Sequence, residues 1–398
     1  MHLMKRNKSF FKLWLSQIFA SFGDSFYDVA IVWYLIEITG SALLAGGIAI
    51  SGMIGRMLGS SFISQKVDVW HTRKIMLIAG ILRGMLLLGV VGLMIFLHIP
   101  VIGFYVVSFT AAFLSACASA AQRKSISEIV IKEDLVNANA SFGVAFSLVQ
   151  ISSWALGGVV VAMLGVVLAL VINAVTTILS TVLIGVNSWK SKVQEEDHSK
   201  VGILEGIGVI KRADKSVQQV VLLELVALFL MGFYWSAFPL LIEEISDAVG
   251  YGLQGAAFGV GCLMTSIYLA RSKKLKKLGI AYLWGVIFYA IGVIISGVVP
   301  HIAIFIFGVF ISGLGNSFWE TARQTIFHLS IPTEDVGKVF AVFDLFINLC
   351  LIPAWLLGGL LADLFSPRLV MLVVGVMMFA VLLFATRSKS LRSVTAPN

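Results

Sequence analysis

The sequence predicts an all-α membrane protein with twelve transmembrane helices in two pseudo-symmetric six-helix halves. Three observations lead to this fold class: the composition, the lengths of the apolar segments and an internal repeat. Of 398 residues, 59% are hydrophobic and 13% are charged, whereas an ordinary soluble domain carries about 25% charged residues. Such a chain lacks the polar residues needed to cover a soluble fold, so we expect the lipid bilayer to be its solvent.

Charged and turn-forming residues divide the chain into apolar segments, each long enough to cross a bilayer as a helix. The apolar stretch that follows the basic start "MHLMKRNKSFFK" is too long for the apolar part of a signal peptide, and it lacks a small-residue cleavage site. We therefore predict a multi-pass protein of the cell membrane. The twelve predicted spans are 10–37, 42–64, 74–97, 101–123, 138–163, 166–187, 219–242, 252–270, 279–299, 302–325, 338–363 and 367–386.

An internal repeat relates the two parts of the chain. The stretches "KEDLVNANASFGVAFSLVQISSWALGGVV" (132–160) and "TEDVGKVFAVFDLFINLCLIPAWLLGGLL" (333–361) share Glu-Asp near their starts and Trp-x-Leu-Gly-Gly near their ends. Trp154 and Trp355 are 201 residues apart. This spacing predicts a duplication. We expect the matched glycine pairs to let helices pack closely, and they are Gly157, Gly158, Gly358 and Gly359.

The repeat sets the predicted domain organisation. Residues 1–187 form the N-terminal half and residues 219–398 the C-terminal half. The linker at 188–218 is the longest polar stretch, and its isoleucines and leucine at 203–210 have helical spacing. This pattern predicts a short amphipathic helix on the inner membrane surface.

The basic residues predict the orientation in the membrane. If both termini are cytoplasmic, the termini, the inner loops and the flanking segment ends together hold 26 of the 29 Lys and Arg, leaving only Arg56, Arg83 and Arg368. Cytoplasmic loops of membrane proteins carry such an excess of cations. The net charge of +8 is thus a topology signal, and we expect no nucleic-acid partner.

Two aspartates lie inside the first predicted span, in "GDSFYDVAIVWYLIE" (23–37). Asp24 and Asp28 are four residues apart and so share one helix face. A carboxylate at the bilayer centre costs about 2.5–3.5 kcal/mol on insertion scales. Two interpretations remain open: the pair contacts Arg56 or Arg83 and guides helix packing, or it lines a central cavity and binds protons or a cation. In the second interpretation Tyr27 belongs to the cavity wall.

Other charges fall within spans of the C-terminal half. Glu224 lies near the inner end of the seventh span, where it is either an interfacial residue or part of the site. Glu320 and Arg323 are three residues apart and could form a local ion pair, and Trp319 beside them is a candidate cavity wall. Asp344, about two turns into the eleventh span, lacks an obvious local partner, and we predict that it lines the cavity.

Several functional classes lack support. No GxxxxGK[ST] phosphate-binding loop occurs, no metal-ligand spacing appears, and the three cysteines all lie in apolar runs. We therefore expect no cofactor, no metal and no enzymatic activity.

The sequence resembles the major facilitator superfamily, and within it the bacterial macrolide-efflux branch of drug:proton antiporters. The resemblance covers essentially the whole chain. The matching stretches are "FFKLWLSQIFASFGDSFYDVAIVWYLIEITGSALL", "VDVWHTRKIM", "EGIGVIKRADK" and "VGKVFAVFDLFINLCLIPAWLLGGLLAD". It implies that Asp68, Arg73 and Gly337 form a conformational switch between the second loop and the eleventh helix.

The chain also departs from the superfamily pattern. The loop motif after the second span has Val69, His71 and Thr72 where arginine, glycine and arginine are usual. Ser153 and Trp154 replace the usual Gly-Pro before the Gly-Gly pair, and Ala111 stands where drug antiporters often have an embedded arginine. These changes bear on proton coupling and leave the expected fold untouched.

The prediction is a secondary active transporter that works by alternating access. Five embedded acids face three arginines, which favours protons and cationic or neutral amphipathic solutes over anions. We expect proton-coupled efflux of a hydrophobic or cationic drug-like small molecule by a monomer. The alternatives are an exporter of an anionic siderophore or lysolipid, gripped by Arg56 and Arg83, and a non-transporting sensor or assembly protein.

Overall fold

A computed structural model describes residues 6–64, 70–97, 99–131, 134–187, 189, 203–271 and 277–395. Within these ranges the regular structure is helical and no strand occurs. The helices are α1 (Lys8–Thr39), α2 (Ala42–Ser64), α3 (Thr72–Phe96), α4 (Val101–Ile129), α5 (Leu135–Gly185), α6 (Ile203–Arg212), α7 (Lys215–Ile245), α8 (Ala248–Arg271), α9 (Leu278–Val298), α10 (Ile302–Ser330), α11 (Thr333–Leu364), α12 (Pro367–Ala385) and α13 (Lys389–Arg392).

The fifth and sixth predicted spans form the two arms of one long helix, α5. Gly165 interrupts it with φ 83° and ψ 166°, a conformation that only glycine adopts without steric cost. The break lies between the predicted segments 138–163 and 166–187, so the sequence located it correctly. Each of the other ten predicted spans coincides with one helix, apart from shifts of a few residues at the ends.

Length and apolar composition allow nine helices, among those that the structure describes, to cross a membrane. One of them is the kinked α5, whose 45-residue apolar part at Ser141–Gly185 is long enough for two crossings. α1 is absent from the nine, because its apolar run is broken by polar residues that include Asp24 and Asp28. α12 has a shorter apolar stretch, Pro367–Leu383.

The chain divides into two compact units. Unit 1 comprises Met1–Thr39, Leu44–Asp197 and Asp247–Gly252, and unit 2 comprises Gly40–Leu43, His198–Ser246 and Leu253–Asn398. In unit 1, α1 packs along α5, and α3 packs against α4 and α5. In unit 2, α9 packs against α10 and α12, while α7 packs against α11 and α12.

The short helix α6 belongs to unit 2 and packs against α11. Glu205 of α6 and Lys338 of α11 form an ion pair at 3.4 Å. Gly206 lets the helices approach, since a Cβ there would lie 2.7 Å from the backbone oxygen of Lys338. Contacts with α11 therefore fix this end of the predicted linker, whereas residues 190–202 lie outside the described part of the chain.

Candidate functional site

The first charged cluster of unit 1 joins α1 to α3. Gly23 brings α1 close to α5, because a Cβ at this position would lie 2.7 Å from Oδ1 of Asn173. The next residue, Asp24, accepts a hydrogen bond through Oδ1 from Nη2 of Arg83 on α3. The Arg83 side chain is 10% exposed and that of Asp24 is 36% exposed. In this ion pair the arginine is therefore buried, whereas the aspartate side chain is partly exposed.

Asp28 lies one turn further along α1 and is exposed. No hydrogen bond or ion pair joins its carboxylate to another residue in the described ranges. The nearest charges that act on it are Asp24, which repels it, and Arg56 and Arg83, which attract it. Arg56 is itself exposed, and Tyr27 beside Asp28 is buried. Of the two aspartates, one is therefore paired and the other presents an accessible carboxylate.

Unit 2 contains a buried network centred on Glu224 of α7. Its Oε2 accepts hydrogen bonds from the Tyr282 hydroxyl of α9 at 2.8 Å and from Trp319 Nε1 of α10 at 2.6 Å. Its Oε1 lies 3.1 Å from Nε of Arg323 on α10. Glu224 is only 3% exposed. Three donors from two helices thus hold a single carboxylate in the interior of unit 2.

Arg323 connects this buried network to the half-exposed carboxylate of Glu320. Its Nη2 donates to Oε1 of Glu320, as the i,i+3 spacing predicted, and Glu320 also accepts from Gln324 at 2.6 Å. The guanidinium lies over the Phe343 ring of α11, 4.8 Å from its centroid, which favours a cation. Asp344 follows Phe343 and is exposed.

The structure shows where three of the predicted site residues lie within their units. Glu224, for which the sequence left two alternatives open, is buried and hydrogen-bonded. Tyr27 and Trp319, expected along a cavity wall, are both buried. For Trp319 the reason is its indole N–H, which needs an acceptor when it is buried and finds Glu224.

Tyr282 is a member of the network that sequence reasoning missed. It lies about one turn into an apolar segment, in "LGIAYLWG" (278–285), and is fully buried. A tyrosine hydroxyl in such a segment requires a buried partner. The sequence therefore contained a signal for this contact, because the Tyr282 hydroxyl needs an acceptor and Glu224 is an acceptor embedded in the same half of the chain.

The predicted switch residues are described only in part. Asp68 lies outside the described residues, and Gly337 is the fifth residue of α11. Arg73 donates through Nε to the carbonyl oxygen of Ile184 at 3.2 Å and through Nη2 to that of Gly185. It therefore contacts the last carbonyls of α5 within its own unit.

Three of the four predicted packing glycines occupy very close backbone approaches. A Cβ at Gly158 would lie 2.5 Å from the oxygen of Ala248, and one at Gly358 would lie 2.5 Å from Cα of Phe233. At Gly359 the nearest atom would be Cα of Leu43 at 2.7 Å. Gly157 is looser, with Val29 Cβ at 3.5 Å. A side chain at any of the first three positions would push backbones apart.

Metal chemistry has no candidate centre in the described part of the chain, since no three His, Cys, Asp or Glu side chains converge there. Each unit instead carries its own cluster of acids and arginines: unit 1 has the accessible carboxylate of Asp28 beside the Asp24–Arg83 pair, and unit 2 has the buried carboxylate of Glu224 bonded to Arg323.

Comparison with known proteins identifies the class of protein to which this chain belongs. A family model described as "Transmembrane secretion effector" matches residues 4–396. Macrolide efflux protein A of Streptococcus pyogenes is 22% identical over 363 residues, which cover 89% of each chain.

Solved structures of transporters have the same fold. The nucleoside transporter NupG superposes with a TM-score of 0.71 at 9% identity, covering 95% of this chain and 98% of that one. A POT family transporter in complex with a thioalcohol conjugated peptide gives 0.74 at 13% identity, covering 96% of both. A bacterial homologue of the iron transporter ferroportin gives 0.69 at 16% identity, covering 96% and 99%. These likenesses confirm the predicted fold class.

Proposed function

Because the chain belongs to the transmembrane secretion effector family of major facilitator superfamily transporters, we propose that it exports a hydrophobic or cationic drug-like compound in exchange for protons. In this proposal the two halves expose a central site alternately to each side of the membrane. Both termini and the linker are cytoplasmic, and the protein works as a monomer in the cell membrane.

The observation that carries the proposal is the difference between Asp24 and Asp28. Asp24 is paired with Arg83, whereas Asp28 is exposed one turn away and has no ion pair among the described residues. An embedded carboxylate is costly unless it is paired, hydrated or protonated. An accessible carboxylate in the middle of a spanning helix is therefore suited to binding a proton or a cationic group and releasing it again.

The substrate class follows from the balance of charges and from the relative. In unit 2 the three embedded acids Glu224, Glu320 and Asp344 outnumber Arg323, whereas in unit 1 Asp24 and Asp28 balance Arg56 and Arg83. An excess of acids attracts cations and protons and repels anions. The relative named for macrolide efflux supports a drug-like compound as the exported molecule.

Two alternatives have weaker support. Export of an anionic siderophore or lysolipid needs free arginines, but Arg83 is already paired with Asp24, which leaves the exposed Arg56. A non-transporting scaffold would bury its carboxylates as satisfied pairs, as happens with Glu224. The exposed Asp28 favours transport over this second alternative.

Reconstituted proteoliposomes test the proposal. A proton gradient of defined direction is imposed, and movement of a macrolide and of a hydrophobic organic cation is followed together with internal pH. We expect wild type to move the compound against its gradient while protons flow the other way. The Asp28→Asn variant should insert into the membrane but show no gradient-driven movement of the compound. Compound movement that ignores the proton gradient would refute antiport, and movement of anions alone would favour the siderophore or lysolipid alternative.

A further inference from the structure

Unit 1 carries an apolar groove at the end where α3 begins. Its volume is about 480 Å³. The floor consists of side chains that are buried or nearly so, on three helices: Ile63 of α2, Ile75 of α3 and Cys117 of α4. Because three elements enclose it, the groove is a concave site and differs from the convex helix surfaces that annular lipids cover.

The rim of the groove combines exposed apolar side chains with a basic mouth. Ile78, which is 59% exposed, and Leu82 line one edge along α3. Lys74 and His71 lie at the start of the same helix and are exposed. In the described part of the chain no ion pair engages Lys74, so its ammonium group is available to an anion.

The order of these residues matches the depth profile of a lipid. From Lys74 to Leu82 the helix rises by about 12 Å, at roughly 1.5 Å per residue. That distance reaches well into a hydrocarbon layer about 30 Å thick. The ammonium group of Lys74 thus lies at headgroup level, on the side that the charge distribution predicts to be cytoplasmic, and the apolar wall lies at acyl-chain level.

We propose that this groove binds one anionic phospholipid of the inner leaflet. Its phosphate contacts Lys74 and His71, and one acyl chain lies along Ile78 and Leu82. Basic pockets between membrane helices on the cytoplasmic side are suited to anionic headgroups. The exposed Trp70 is at the mouth, where an amphipathic ring meets both headgroup and chain. The proposal is independent of which compound the protein transports.

Native mass spectrometry of the full-length protein in detergent tests the headgroup contact. The probes are phosphatidylglycerol and phosphatidylcholine with identical acyl chains. Wild type should retain phosphatidylglycerol in preference, and Lys74→Gln should weaken its retention about fivefold, as expected for loss of one cation near an anionic lipid. Lys215→Gln is the control, because Lys215 is an exposed lysine in the first turn of α7. Equal retention of both lipids by wild type, or equal losses in the two variants, would overturn the proposal.

A second measurement places the acyl chain in the groove. Phosphatidylglycerol brominated on its chains should quench the fluorescence of Trp70, measured as the difference between wild type and Trp70→Phe, more than brominated phosphatidylcholine does. Ile78→Trp should fill the groove from its exposed edge and reduce lipid retention while Lys74 stays in place. Equal quenching by both lipids would indicate ordinary bilayer contact. Displacement of the lipid by a saturating macrolide would assign the groove to the substrate, and either result refutes the proposal.

Discussion

Trp319 Nε1 donates a 2.6 Å hydrogen bond to Oε2 of Glu224, and this bond joins α10 to α7 inside unit 2. The same carboxylate lies 3.1 Å from Nε of Arg323 and accepts from Tyr282. Arg323 in turn reaches the half-exposed Glu320. One chain of polar contacts therefore runs from the interior of unit 2 to its accessible surface, so a change at Glu224 alters both packing and charge balance.

Glu224→Gln should destabilise unit 2. Removing one partner of a buried ion pair costs about 3–5 kcal/mol, and Glu320 retains Arg323 in part, so we expect about 3 kcal/mol. Unfolding in detergent micelles measures the loss. Glu243→Gln, at an exposed position of the same helix, should change the free energy of unfolding by less than about 0.5 kcal/mol. If Glu224→Gln and Arg323→Gln show additive effects in the double variant, the two residues are not coupled and the network is wrong.

Trp319→Phe isolates the indole hydrogen bond. The phenyl ring keeps most of the apolar area, and a hydrogen bond to a charged group contributes about 1.5–3 kcal/mol. We expect a loss within that range in the same unfolding assay. A loss equal to that of Trp319→Ala would show that ring packing, rather than the bond to Glu224, stabilises this region.

Gly158→Ala should destabilise the chain, whereas Gly89→Ala should not. A Cβ at Gly158 would lie 2.5 Å from the oxygen of Ala248, but a Cβ at Gly89 would have no neighbour within 4 Å. At Gly89 the higher helix propensity of alanine should add about 0.5–1 kcal/mol of stability. Thermal unfolding of the two variants side by side gives the comparison. Equal shifts would mean that the backbone approach at Gly158 relaxes easily.

The helices and the kink could be predicted from the sequence because both depend on local pattern. Each span is an apolar run, and the boundary predicted between 163 and 166 contains Gly165, a residue that adopts positive φ without steric cost. The i,i+3 pair of Glu320 and Arg323 was likewise predictable, since its geometry is set by one helix.

The partners of Glu224 could not be predicted in the same way. Tyr282 is 58 residues away and Trp319 is 95 residues away, so their contacts depend on how three helices rotate against one another. The same limit explains why the sequence left two partners open for Asp24 and the structure selects Arg83. Tertiary packing decides these contacts. The periodicity of apolar residues does not specify that packing, because a span that is apolar on all sides has no single face directed to the core.

Asp68→Asn and Arg73→Gln should act differently on conformation. If Asp68 closes the cytoplasmic side, its neutralisation shifts the population towards the inward-open state by about 1 kcal/mol, as for a partly exposed ion contact. Arg73 contacts the last carbonyls of α5, so Arg73→Gln should loosen that helix end instead. Distance measurements across the cytoplasmic face, together with hydrogen exchange at 180–187, separate the effects. Unchanged distances in Asp68→Asn would rule out its role as a switch.

Lys200→Cys tests the orientation of the chain. The distribution of cations predicts a cytoplasmic linker, so a membrane-impermeant thiol reagent added outside intact cells should not label this position. Glu37→Cys, at an exposed position near the other end of α1, is the positive control and should react. Both variants require replacement of Cys117, Cys262 and Cys350 first. Labelling of Lys200→Cys from outside would reverse the predicted topology.

Asp28→Asn and Asp24→Asn should separate transport from folding. Asparagine at position 28 removes an embedded charge that has no ion pair among the described residues, so expression and unfolding should match wild type while gradient-driven export is lost. Asparagine at position 24 leaves the buried cation of Arg83 without its partner, and such loss is destabilising. Its unfolding midpoint should fall, and Asp24→Asn with Arg83→Gln should restore part of it.

Both variants are measured in the same proteoliposome assay, because the two carboxylates are one turn apart on the same helix face and one can substitute for the other. Proton uptake per exported molecule is recorded for each. An Asp28→Asn protein that unfolds while its folded remainder still exports would make Asp28 a packing residue and move the proton site elsewhere. Full export by Asp28→Asn with none by Asp24→Asn would assign the proton to Asp24, in competition with its bond to Arg83.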